Sequence, residues 1–226
     1  MDALARLEPV ARSLLRAVDM TLDQLGAPAG HGVWGLLRRV GASPGDAVTL
    51  VAGMQPDRLG PVAASLREGA AGYDSAALPR DVGWRGRAGA SYAVRAAALD
   101  AHLRANGSGS LAGRLRATAG YLDDIAEWQR RTRDRVARAL GEVLTSTQAL
   151  TMTRHLGGGG PSYLGSGQAV LASADIGARL LAEAAAALDE GDLVRQRWAG
   201  SLAELAFVAP ADAVPAPVDS TIEMRH

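Results

Sequence analysis

The residues best suited by type and spacing to do chemistry are Asp123, Asp124 and Glu127, a D-D-x-x-E run. On a helix these carboxylates share one face, the arrangement all-helical terpenoid cyclases use to hold Mg²⁺. Aromatic side chains to line a pocket make up only 4%, and no second metal motif is visible, so ion pairing is the expected use: Glu127 lies one turn before Arg131. The four histidines, His31, His102, His155 and His226, fall in separate regions with no H-x-x-x-H pair, and no G-x-S-x-G elbow accompanies them. His102, near a helix end, is read as a partner of the helix dipole. Gly30 to Gly35 formally spell G-x-G-x-x-G, but they follow a helix and a Pro-Gly loop, not a strand, so dinucleotide binding is not expected. Arg130, Arg131, Arg133, Arg135 and Arg138 form a basic run without interleaved aromatics, read as a solvated face or a stripe for an acidic partner.

Absences narrow the classes further. There is no cysteine and no lysine, which removes disulfides, thiol nucleophiles, Cys-ligated metals, a Schiff-base lysine and the Walker A lysine. With 24 basic and 24 acidic residues the net charge is zero, so nothing global attracts nucleic acid or anionic lipid. No apolar stretch approaches the roughly 20 residues of a membrane span, and the N-terminus lacks the basic and apolar regions of a cleavable signal peptide. This inventory points to a non-catalytic protein that needs no cofactor and no metal.

The elements that must position these residues all carry helical spacing. Leu4, Leu7, Ala11, Leu14, Val18, Leu22 and Leu25 step by three and four, with the helix starting near Glu8 or kinking at Pro9. A short helix follows with Val33, Leu36, Leu37 and Val40 inward, and Trp34 could line a contact surface. Ser43-Pro44-Gly45-Asp46 reads as a capped helix start. Near-heptad apolar spacing predicts one helix from Ser110 to about Met152, roughly 60 Å long. Gly157 to Gly167 reads as a flexible loop, 168–206 as a final helix, and 210–226 as a disordered tail. Trp198-Ala199-Gly200 falls within that helix and reads as core.

Between these lies the stretch from Gln55 to Ala105. Leu59, Val62, Leu66 and Tyr73 form one stripe, Ala88, Tyr92, Ala96, Leu99 and Leu103 a second. Leu78 to Gly83 break the helix between them, and Trp84-Arg85-Gly86 follow. A helical hairpin with a wedging indole at its turn is the expected form.

This W-x-G between two amphipathic helices resembles the WxG class of type VII secretion substrates of actinobacteria and related bacteria, including longer members with the turn inside an elongated helical domain. Exported members, or their partners, carry a tyrosine followed four residues later by Asp or Glu. Here Tyr73, Tyr92, Tyr121 and Tyr163 are followed at that offset by Ala77, Ala96, Ile125 and Gly167, so a partner would supply that half. The expectation is an all-α, elongated antiparallel bundle of five to six helices over residues 1–209, with the WxG hairpin at about 55–105. The resemblance implies a helical protein partner, in a hetero-dimer or homo-oligomer, a secretion ATPase, and export from the cytoplasm without a signal peptide. Trp84, Arg85, Gly86 and Trp34 are the partner-binding candidates. A helical adaptor or scaffold that is never exported is the alternative.

Overall fold

A computed structural model describes residues 2–75, 83, 85–104, 109–157 and 163–203, without side chains for 155–157 and 163–166. Trp84, most of the segment joining the two expected hairpin helices, part of the glycine-rich loop and the whole of 210–226 lie outside the described residues. Among the described residues there is no strand, and the fold is an all-α bundle of eight α-helices and one 3-10 turn.

Helix α1, Ala3–Gln24, begins ahead of Pro9, not at it. The Asp2 carboxylate accepts the Ala5 N–H at 2.9 Å and satisfies a donor of the first turn, while the proline ring lies on the exposed face. Helix α2, Val33–Val40, stops at Gly41, whose φ of 69° is the left-handed conformation glycine adopts most easily. Helix α3, Pro44–Ala52, starts as its sequence predicts, with the Ser43 hydroxyl accepting the Asp46 N–H at 3.1 Å and Pro44 in the first turn. The 3-10 turn Pro56–Arg58 then leads into α4, Leu59–Ser75.

Helix α5 is Gly86–Arg104 and α6 is Leu111–Leu144. The single helix expected from Ser110 to Met152 is two, because Thr145 and Ser146 turn their hydroxyls to the carbonyls of Gly141, Glu142 and Val143. Such back-bonding competes with helix continuation, and the Ser146 hydroxyl then caps α7, Thr147–Gly157, by accepting the Ala149 N–H. Helix α8, Tyr163–Ala203, starts about a turn before the expected position. At 1.5 Å per residue α6 spans about 50 Å and α8 about 60 Å, and the two run antiparallel.

The core is concentrated at one end of this pair. Leu14, Val18 and Leu22 of α1, Val33 of α2, Val48 and Val51 of α3, Leu140 and Val143 of α6, Met152 of α7 and Leu180 and Leu181 of α8 pack into one cluster. Gly177 of α8 is the crossing point. A Cβ there would sit 3.1 Å from Leu22 and Pro44 and 3.3 Å from Val33. The other half is built on alanines. Ala63 and Ala70 of α4 and Ala112, Ala119 and Ala126 of α6 are buried, each set at intervals of seven, so two antiparallel helices approach closely. The leucine stripe expected to face inward there, Leu111, Leu115, Leu122 and Ile125, is only half-buried, and Val62 of α4 is 50% exposed.

Candidate functional site

The W-x-G segment sits between α4, which lies along α6, and α5, which touches both only lightly. Gly83 and Gly86 both have φ of 70°, a conformation that L side chains rarely adopt. Gly86 is the first residue of α5, and among the described residues no atom lies within 4 Å of where its Cβ would be. Its backbone conformation is what calls for glycine there. Arg85 is exposed just before the helix. Helix α5 itself buries none of its residues. Tyr92, Ala96 and Leu103 are half-buried, while Val94 is 71% and Leu99 47% exposed.

Trp34 lies elsewhere, on α2. Its Nε1–H donates to the Pro28 carbonyl at 3.3 Å, and its ring lies over Gly26, 3.5 Å from where a Cβ would be. The half-buried indole pins the loop between α1 and α2 to the core, and the structure does not bring it together with Arg85 and Gly86. His31, in the same loop, accepts the Val33 N–H on Nδ1 at 3.2 Å. Its remaining proton is then on Nε2, 3.3 Å from Asp175 of α8. The G-x-G-x-x-G stretch from Gly30 to Gly35 is thus a helix start tied to α8.

The D-D-x-x-E carboxylates are taken up by partners within the chain. Asp123 pairs with Arg67 of α4. Asp124 accepts from Arg197 at 3.0 Å and from the Trp198 indole N–H at 2.8 Å, both on α8. Glu127 lies 3.4 Å from Arg130 and, as expected, 3.7 Å from Arg131. Among the described residues no three His, Asp or Glu side chains are grouped to hold a metal ion.

The arginine run is likewise divided. Arg135 pairs with Glu183 and Glu190 of α8, while Arg138 is exposed. Arg133 is buried, contrary to the solvated face expected for this run. Its Nη1 donates to the carbonyls of Val51, Ala52 and Met54 at 2.9, 2.5 and 2.8 Å, and its Nε to the Asp2 carboxylate at 2.5 Å. One guanidinium thus satisfies the last carbonyls of α3 and anchors the cap of α1, holding Asp2 below the usual carboxylate range.

Two further contacts escape a reading by apolar spacing. Trp128 of α6 packs on Gly191 of α8, where a Cβ would sit 3.1 Å from the ring, and donates its indole N–H to the Ala187 carbonyl at 2.9 Å. Trp198 of α8 packs on Gly120 of α6 and meets Tyr121 edge-on, with ring centroids 6.0 Å apart. Each helix offers a glycine followed about two turns later by a tryptophan, an order that antiparallel packing makes complementary. That matched spacing is the signal the sequence holds, and it makes Gly120 and Gly191 seats for indoles instead of bends. The third missed residue is Asp19 of α1. It accepts the Gly45 N–H and the Ser43 hydroxyl, both at 3.0 Å, at the start of α3. Burial pushes its carboxyl up, against the lowering effect of those two bonds, and Asp46 nearby adds to the rise.

The chemistry on display is structural: caps, interhelical ion pairs and indole seats. Among the described residues no helix is long and apolar enough to cross a membrane. No protein-family model matches the chain, no curated protein matches its sequence, and no solved structure matches its fold.

Proposed function

We propose that this chain is a non-catalytic helical interaction protein, a substrate or component of a type VII secretion pathway, recognised with a helical partner at its W-x-G segment. The observation that carries the reading is the left-handed Gly86 opening an α5 that buries no residue. A glycine required by backbone conformation at a helix junction, next to a helix with only a half-buried face, fits a segment built to be completed by another protein. Trp84 and Gly86 carry the recognition, and Arg85 is a polar contact. Export would proceed from the cytoplasm, without a signal peptide, on a partner that supplies the acidic residue absent after every tyrosine.

The test is a culture-supernatant blot in strains with the secretion ATPase present or deleted, using wild type, Trp84→Ala and Gly86→Ala. The wild-type chain is expected outside the cell only when the ATPase is present, and both variants are expected to stay inside. Equal extracellular signal in the two strains removes the export reading. The absent tyrosine-acid pair favours a second one, a helical adaptor or scaffold never exported. It requires the chain to remain in the cell fraction of both strains, bound to a helical partner.

A further inference from the structure

We propose that the outward face of α5 is a docking surface for an acidic amphipathic helix of a partner protein. The proposal rests on the interaction reading above and names the partner's chemistry.

The inward face of α5 is the stripe Gly89, Tyr92, Ala96 and Leu103, half-buried against the rest of the chain. On the opposite side, at helical spacing, lie Ala90, Val94, Ala98 and Ala101, all exposed, with Val94 at 71%. A helix of 19 residues containing Gly89, Ser91, Tyr92 and Val94 is marginal in water on propensity alone. Packing is what ordinarily stabilises such a helix, and here the chain provides it on one side only, and partially.

Charge identifies what covers the other side. Arg85, Arg87 and Arg95 are exposed, and among the described residues none has a carboxylate within ion-pair distance. The one acid of α5, Asp100, is already engaged by Arg104. The rest of this half behaves differently, since Arg67, Arg116 and Arg197 each meet an aspartate of a neighbouring helix. Arg87 lies in line with Ala90, Val94 and Ala98 at the start of the strip and Arg95 lies to one side of it, so the complementary surface is an apolar ridge with carboxylates at one end and along one side. The small side chains of the strip let a helix axis come within about 8–10 Å. A second copy of α5 would set arginine against arginine, which opposes self-pairing on this face. Nucleic acid would require a continuous basic track with stacking aromatics, and this face has neither.

The experiment uses the full chain and two synthetic peptides. Both are about 20-residue helices with an alanine-leucine ridge, flanked by glutamates in one and by lysines in the other. Fluorescence anisotropy is expected to give micromolar binding of the glutamate peptide and at least tenfold weaker binding of the lysine peptide. Arg87→Glu/Arg95→Glu, checked for an unchanged thermal melt, is expected to reverse that preference, and Val94→Asp to weaken binding at least tenfold. Amide exchange is expected to slow over 86–104 when the glutamate peptide is bound. Equal binding of the two peptides, a double variant that keeps the wild-type preference, or protection outside α5 would overturn the proposal. So would self-association of the free chain that Val94→Asp abolishes, because a second copy would then be the occupant. Purified protein is used, so failure of export leaves this result standing, and failure of peptide binding leaves the secretion blot standing.

Discussion

Replacing Arg133 is the sharpest test of how the bundle is held together. Its guanidinium donates to the carbonyls of Val51, Ala52 and Met54 together, the first of which also accepts the Met54 N–H at 3.1 Å, and its side chain is 8% exposed. Arg133→Met keeps the aliphatic stem and removes every donor. The Ala52 and Met54 carbonyls lose this donor, each carbonyl stranded away from water costs about 1–3 kcal/mol, and neither residue is fully buried. The expected total is about 3–5 kcal/mol, the range for breaking a buried charged contact. For a chain of this size that corresponds to a fall in Tm of about 6–20 °C. Asp2 is the control. Its side chain is 40% exposed, so its ion pair is screened, and Asp2→Ala should cost about 1 kcal/mol, most of it the lost cap. Arg133→Lys keeps the charge but loses the planar fork and should fall between wild type and Met. Urea denaturation followed by circular dichroism measures all three. If Arg133→Met lies within about 1 kcal/mol of wild type, or Asp2→Ala costs as much as Arg133→Met, the account of Arg133 as a cap for α3 is wrong.

Two other expectations follow from the packing and from the carboxylates. Gly177→Ala should destabilise by about 1–3 kcal/mol, because three core side chains surround the new methyl, whereas Gly72→Ala meets nothing within 4 Å among the described residues and should stabilise by up to about 1 kcal/mol. The same sign for both in chemical denaturation would show that helix propensity, not the crossing, governs Gly177. For Asp19 the folded carboxyl is raised above its ordinary value of 3.8, so its contribution is fully present below that value and is lost as pH rises through the folded pKa. Asp19→Asn should therefore gain on wild type as pH rises across the carboxylate range. Asp2 is lowered, so its contribution is present above 3.8 and lost as pH falls through its folded pKa. Asp2→Asn should accordingly lose ground to wild type as pH rises through the same range, and urea midpoints between pH 3 and 7 that shift the same way relative to wild type for the two variants would contradict both assignments.

What could be read before the structure, and what could not, divides along physical lines. Apolar spacing located α1 and the Ser43 cap located α3, because both signals are local: a stripe on one helix and a hydroxyl three residues from the N–H it accepts. Spacing failed where large side chains were assumed to mark the contact. Along α4 and α6 the buried positions are Ala63, Ala70, Ala112, Ala119 and Ala126, and alanines in an alanine-rich chain carry little contrast. The break at Thr145 and Ser146 was hidden for another reason. Those hydroxyls act on carbonyls already within the helix, and the apolar rhythm runs across them undisturbed.

The residues that join distant elements were least legible. Arg133 stands in a run of five arginines that differ hardly at all in type, yet it alone is turned to the end of α3 and the start of α1. Which arginine is buried depends on the rotation of α6 about its own axis, and only the packed bundle fixes that rotation. The two tryptophan seats follow the same logic. Trp128 and Trp198 find Gly191 and Gly120 only after α6 and α8 have been set antiparallel at one register, and a shift of one turn would place each indole over a side chain instead of a glycine. The seats therefore fix register as well as contributing contact area. They align the half of the chain that holds the main core with the alanine half that carries α5. The face proposed to meet a partner is held by a framework whose alignment depends on two glycines, so a side chain at Gly120 or Gly191 should disturb docking at α5 without touching it.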